Sequence, residues 1–233
     1  MASDRPTVVI TGASGALGGT VVVEFASRGY GVIAIERSME NLRQLEEAHQ
    51  VAVRGLDADL TDPAQVESLW TRIDELGASP DALVNTAGGY RGGSVIETSP
   101  EDYRFMQDLN LGTAWSMCRA AASRMRGAGR GAIVNVSART AVAGGAGSAA
   151  YAVSKSGILK LTEVLADELK SEGIRVNAVL PALIDTPANR ASYSPERMAK
   201  AVPPEAIARV IAFLCSHDAW PITGAAIPVY GRY

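Results

Sequence analysis

Seven short apolar runs recur along the chain, at residues 7–10, 32–35, 51–56, 82–84, 132–136, 176–180 and 226–229. They are rich in valine and isoleucine and barely alternate with polar residues. Strands buried on both faces of a parallel sheet carry that pattern. Between the runs, apolar residues fall at helical spacing. Leu17, Val21, Val22 and Phe25 share one face of a predicted helix, and Val66, Leu69, Trp70 and Ile73 share another. Residues 102–125 and 150–170 read as two longer helices. Alternating strands and helices predict a doubly wound α/β fold, with a parallel sheet covered on both faces. No internal repeat or low-complexity linker interrupts the pattern, so residues 1–233 are expected to form one domain. Residues 185–204 mix prolines, serines and charges, and predict a long loop or lid.

Composition narrows the function. The chain has 233 residues, 47% of them hydrophobic, enough for one sizeable core. Net charge is -3 with no basic tract, which argues against nucleic acid or an acidic membrane surface as partner. Cys118 and Cys215 are the only cysteines, too few for a disulfide framework, so a reducing cytoplasm is expected. The N-terminal residues lack the charged and apolar regions of a secretion signal, and no run reaches membrane-spanning length. His49 and His217 are the only histidines and stand far apart, which gives no support to a metal site or a histidine-based triad.

The first chemical signal is "VVITGASGALGG", with Gly12, Gly15 and Gly18 spaced three apart after the first strand and at the start of the first helix. A glycine turn in that context lets the backbone of Gly12, Ser14, Gly15, Ala16, Leu17 and Gly18 approach a pyrophosphate at a helix N-terminus. Glu36 ends the second strand, where a carboxylate would accept hydrogen bonds from the ribose of NAD and repel a 2′-phosphate. Arg37 beside it could pair with that phosphate instead. NAD(H) is therefore favoured, with NADP(H) left open, as is a simple solvated Glu36–Arg37 pair. Asp59 and Leu60 follow the third strand, where Asp59 could meet the adenine or cap the next helix, a role equally open to Thr61 or Asp62. Asn85, Ala87 and Gly88 follow the fourth strand, and are expected at the same edge, with Ala87 and Gly88 small enough for close approach by a cofactor.

The second signal is "YAVSK". Tyr151 and Lys155 lie one helical turn apart and share a face. A phenol titrates near 10, too high for acid–base work at neutral pH, and a nearby ammonium is expected to lower it. The phenol could then exchange a proton with a substrate oxygen while hydride moves to or from nicotinamide.

Together with "TGASGALG", "DADL", "NTAG", "LNLGT" and "RVNAVLPALIDTP", these segments resemble the short-chain dehydrogenase/reductase family over nearly the whole chain. The resemblance implies a seven-stranded Rossmann sheet, NAD(P) binding and Tyr151 as the acid–base with Lys155 as its partner. It also implies Asn110 as the residue holding a relay water, whereas a polar residue in a long helix ordinarily bonds to backbone. Pro181, Ile184 and Thr186 would lie beside the nicotinamide, and the long helices would pack into a homodimer or homotetramer.

Three positions depart from the family pattern. Position 16 is Ala16, Pro181 is followed by Ala182, and the substrate-orienting serine expected thirteen residues before the tyrosine is Ala138. Ser137 stands one place away, and on a strand such a slip turns a side chain to the opposite side unless a bulge restores it. With "AGGYRGG" at 87–93 and "LPALIDTPANR" at 180–190, these features resemble the dihydropteridine reductase-like subgroup. The resemblance implies an NAD(P)-dependent oxidoreductase of a small carbonyl, alcohol or imine-like substrate. Two alternatives are reduction of a quinonoid ring and a catalytically weak dinucleotide sensor.

Overall fold

A computed structural model describes residues 5–77 and 79–233. Seven strands form one sheet: β1 (Thr7–Thr11), β2 (Gly31–Glu36), β3 (Arg54–Asp57), β4 (Ala82–Asn85), β5 (Gly131–Val136), β6 (Ile174–Pro181) and β7 (Ala226–Val229). Their order is β3-β2-β1-β4-β5-β6-β7, and every pairing is parallel. The doubly wound α/β reading holds, because adjacent strand residues face two different cores. Val9 belongs to one, with side chains from α3 (Pro63–Glu75), α5 (Thr113–Ala128) and α6 (Ala149–Leu169). Val8 and Ile10 belong to the other, with side chains from α1 (Ala16–Ser27), α2 (Met39–His49) and α9 (Pro204–Cys215). Burial on both faces removes any reason for polar alternation.

Two elements differ from the predicted boundaries by more than two residues. The third strand starts at Arg54 rather than at residue 51, because Val51 and Val53 belong to the exit from α2. Gln50 adopts the left-handed conformation with φ 52°, the Val51 N–H bonds to the Glu46 carbonyl at 3.2 Å, and the Val53 N–H donates to Glu46 Oε1 at 3.0 Å. The helix predicted over 102–125 runs from Pro100 to Ala128, but not uniformly. After α4 (Pro100–Met106), residues Gln107–Gly112 widen into a π-helical turn before α5 resumes. Such turns are rare and cluster at functional sites. Asn110 sits in this one.

The sheet also carries a buried polar row. Thr11, Asn85 and Asn135 are lateral neighbours on β1, β4 and β5. Asn85 Nδ2 donates to Asn135 Oδ1 at 2.9 Å, and Asn135 Nδ2 donates to Thr162 Oγ1 on α6 at 2.9 Å. The row fixes the height of α6 on the sheet. Asn135→Ala would leave Asn85 and Thr162 without these partners. The expected loss is roughly 2–3 kcal/mol of unfolding free energy by denaturant titration; a loss under about half a kcal/mol would show that the row does not hold the helix.

Candidate active site

The site begins with close backbone approach. Gly12 turns in the left-handed conformation, φ 63°, and a Cβ there would stand 2.9 Å from the Cα of Ala87. A Cβ on Gly18 would fall 2.0 Å from the Gly12 carbonyl oxygen. Only glycine lets the first turn of α1 sit so low against the ends of β1 and β4. Strand order reverses between those two strands, and open α/β sheets bind ligands at that crevice. A cavity of about 300 Å³ lies there, lined by Gly12, Ser14, Gly15, Ile35, Glu36, Arg37, Asn41, Ala58, Asp59, Leu60, Thr61, Thr86, Ala87, Gly88, Leu109 and Thr113.

The residues present fit a dinucleotide. Gly15 caps α1 and offers no side chain to its first N–H groups, and no acidic residue occupies the first turn. Ser38, Asp62 and Ser99 do supply side-chain caps to α2, α3 and α4. A twelve-residue helix left open at a glycine turn suits an anionic pyrophosphate. Ala16 and Leu17 enter that turn without lining the cavity, and Gly18 is buried behind it.

Glu36 lines the cavity while bracing the turn. Its Oε2 accepts from Ser14 N at 3.0 Å and Ser14 Oγ at 2.7 Å, and its Oε1 accepts from Arg37 N at 2.8 Å. A carboxylate has about four acceptor sites, so one direction remains for a ribose hydroxyl. Asp59 accepts from Thr61 N at 2.9 Å and Thr61 Oγ1 at 2.6 Å, which holds its carboxyl below the usual range. The cap of α3 is Asp62, not Asp59. Asn85 is corrected: it points into the buried polar row rather than to the cofactor edge, because Asn135 and Cys118 supply its amide partners.

Gly88 joins the cavity to the tyrosine–lysine pair. A Cβ there would meet Asn110 Oδ1 at 2.5 Å and Lys155 Nζ at 3.4 Å. The Asn110 side chain is fully buried. Its Oδ1 accepts from Gly89 N at 3.0 Å, and its Nδ2 donates to Gly89 O and to Ser154 Oγ, each at 3.1 Å. The amide thus clamps the β4 loop to α6, which is the backbone-bonding role. All three of these bonds are to protein groups.

Lys155 Nζ donates to the Val136 carbonyl at 2.9 Å and lies 5.8 Å from the Tyr151 ring centroid. Burial lowers its pKa from 10.5 to about 8. Tyr151 does not follow the expected direction. Burial pushes its phenol up to about 12, and the phenols of Tyr90 and Tyr193 add to the shift. Desolvation disfavours both charged forms, and it outweighs an ammonium turned toward a backbone carbonyl. The phenol is held as an acid.

The serine question resolves at the end of β5. Ser137 Oγ donates to the Lys155 carbonyl at 2.8 Å, tying β5 to α6. Ala138 is extended, with φ -157° and ψ 159°, and buried. No bulge turns Ser137 back toward the site.

The other wall is built from 181–204. Pro181 ends β6, and Ile184 pairs with Val202 across the base of the segment. Thr186 caps α7 (Pro187–Ser192), accepting from Asn189 N at 3.2 Å. A second short helix, α8 (Pro195–Met198), follows Tyr193. The predicted loop therefore contains two capped helices, closed at the base by Val202 N–H to Leu183 O at 2.8 Å and Asp185 N–H to Val202 O at 2.9 Å. None of Pro181, Ile184 or Thr186 lines the cavity. Two site tyrosines were not singled out from sequence. Tyr90 packs edge-to-face on Tyr151, with centroids 5.1 Å apart and an interplanar angle of 77°, and Tyr193 lies on the lid near the same phenol. Tyr90 had a signal in "AGGYRGG"; Tyr193 had only its place in the lid.

Comparison with known proteins agrees with this geometry. A family model described as short chain dehydrogenase matches residues 6–197. A 3-oxoacyl-[acyl-carrier-protein] reductase, FabG, of Thermotoga maritima is 31% identical over 234 residues, covering 96% of this chain and 95% of that protein. The meso-2,3-butanediol dehydrogenase of Serratia marcescens is 31% identical over 243 residues, covering 99% and 95%. A solved variant of the actinorhodin polyketide ketoreductase with NADPH superposes with a TM-score of 0.92 at 27% identity, covering 99% of this chain and 98% of that one.

The phenol assignment is open to direct titration without dinucleotide. Ordinary tyrosines ionise near pH ~10, whereas Tyr151 is expected to stay neutral until about 12. The tyrosinate absorbance curves of wild type and Tyr151→Phe should superpose through pH ~10 and part only well above it. A missing phenol already visible at pH ~10 would overturn the assignment.

Proposed function

The chain belongs to the short-chain dehydrogenase/reductase family of NAD(P)-dependent oxidoreductases acting on carbonyl and alcohol groups, and from that premise we propose that it reduces a small carbonyl compound with Tyr151 as proton donor. The observation that carries this reading is the junction at Gly88, where the cavity wall meets the ammonium of Lys155 one helical turn from Tyr151. A nicotinamide, when bound, would supply the hydride for the carbonyl carbon. The neutral phenol of Tyr151 then hydrogen-bonds the carbonyl oxygen and gives it a proton. Lys155, fixed by the Val136 carbonyl, keeps positive charge beside the oxyanion and the phenolate left behind. Tyr90 and the lid keep water from the reacting atoms.

NAD(H) is favoured over NADP(H), because the carboxylate of Glu36 faces the cavity with an acceptor site free and would repel a 2′-phosphate. Arg37 keeps NADP(H) as the second choice. A homodimer or homotetramer is also proposed, with a groove on α5 and α6 lined by Trp115, Leu161, Val164 and Leu165 as the self-contact. No helix among the described residues is long and apolar enough to cross a membrane.

A second reading, reduction of a quinonoid ring as in dihydropteridine reductases, draws on Ala138 and on the aromatic walls Tyr90 and Tyr193. The relatives reported above are instead a carbonyl reductase and a diol dehydrogenase, which favours the first. The intact Tyr151–Lys155 pair argues against a sensor without turnover.

Oxidation of NADH and NADPH, followed by absorbance over a panel of ketones, diketones and a quinonoid dihydropterin, separates these readings. Turnover of ketones supports the proposal, and turnover of the pterin alone replaces it. Tyr151→Phe should bind dinucleotide as wild type does and lose a factor of roughly 10² or more in turnover; unchanged turnover would remove Tyr151 from the reaction. Glu36→Ala should weaken NADH by about tenfold and NADPH less. Equal losses would mean that Glu36 does not choose between them.

A further inference from the structure

Aromatic and cationic side chains gather beside Tyr193, whose phenol lies near that of Tyr151. Arg139 directly follows Ala138, and its guanidinium stands over two rings, Tyr233 at 5.1 Å and Tyr230 at 5.9 Å from the centroids. Arg197, on α8, stands 4.3 Å from the Tyr193 centroid and 5.9 Å from that of Tyr233. Tyr233 is therefore shared by two guanidiniums, one from the end of β5 and one from the lid. Gly231 lets this tail lie against the lid base: a Cβ there would be 2.8 Å from Val202 Cγ2.

Several arginines of the chain are neutralised by a carboxylate, and these two cations are not. Arg72, Arg124 and Arg190 each take an aspartate. Arg139 and Arg197 form no ion pair and donate no side-chain hydrogen bond among the described residues. The acids of the lid are otherwise engaged, Asp185 with Arg190 at 2.6 Å and Glu196 with Ser194 and its own backbone. A guanidinium held over a ring face keeps its N–H edges free for a planar, bidentate anion.

Resting on the oxidoreductase reading above, we propose that the substrate is a keto acid, its carboxylate held between Arg139 and Arg197 while its carbonyl meets Tyr151. The step is balanced within that reading: hydride from the reduced nicotinamide forms the new C–H bond, the phenolic proton forms the O–H bond, and the carboxylate is unchanged. The product is the hydroxy acid, and the proton of Tyr151 is restored from solvent. Ala138 then has a rationale. The hydroxyl that orients a neutral carbonyl elsewhere in the family is replaced by a charge anchor one residue along.

Affinity and turnover are measured separately, with acetoacetate, longer 2- and 3-keto acids, and the methyl ester of each. Binding to protein saturated with oxidised dinucleotide is read by calorimetry. At least one acid should bind roughly tenfold or more tightly than its ester. Arg139→Gln and Arg197→Gln should each remove most of that advantage and leave the ester unchanged, with Arg139→Lys restoring part of it. Ester binding equal to acid, equal losses for both in the glutamine variants, or no binding of any acid would each overturn the proposal. If a variant fails to fold, the wild-type acid–ester comparison decides alone. Acid-selective binding without oxidation of the reduced nicotinamide would sustain the anion site and sink the oxidoreductase reading instead.

Discussion

The structure turns on one hydrogen bond from a buried cation, Lys155 Nζ to the Val136 carbonyl. An ammonium at 5% exposure needs fixed acceptors, since burial of an uncompensated charge costs several kcal/mol. Its acceptor is at the end of β5, and its neighbour is Gly88 at the end of β4. The lysine therefore measures the gap between the carboxyl ends of two adjacent strands. Ser137 closes the same joint from the other direction, bonding the Lys155 carbonyl. Strand and helix are thereby pinned at both ends of one residue, and Tyr151 inherits its position from that joint.

Around it, the fold uses exclusion of side chains as much as contact. Gly12, Gly18 and Gly88 occupy places where a methyl group would collide with backbone or with Asn110. The wide helical turn at Gln107–Gly112 has a matching purpose. It brings Asn110 against Gly89, where the amide satisfies both the N–H and the carbonyl of that residue. An otherwise irregular loop after β4 is given the hydrogen bonds of a regular element, and the cavity gains a wall that does not depend on a ligand to form.

The sheet, its two cores and the glycine turn were legible because they follow from local periodicity and spacing. Val8, Val9 and Ile10 could only be buried on both faces, and Gly12 could only be a turn. Tyr151 and Lys155 were legible for the same reason, since one helical turn separates them. What failed was the direction of the phenol's shift. Spacing says that Lys155 is near Tyr151, but not that the ammonium faces Val136 or that both groups lose their water. Asn85 was misplaced because a strand end has two sides, and the partner that chooses between them, Asn135, lies fifty residues away. The sharing of the Tyr233 ring by Arg139 and Arg197 is longer-range still, joining three segments that no local pattern connects.

Glu36 carries a last implication. The same carboxylate that lines the cavity also anchors Ser14 in the glycine turn through two bonds. If Glu36 chooses the dinucleotide as proposed, cofactor preference and loop rigidity are one trait in this chain. A lineage drifting from one dinucleotide to the other by losing that charge would first loosen the grip common to both, and would need a replacement acceptor for Ser14 before any gain could appear.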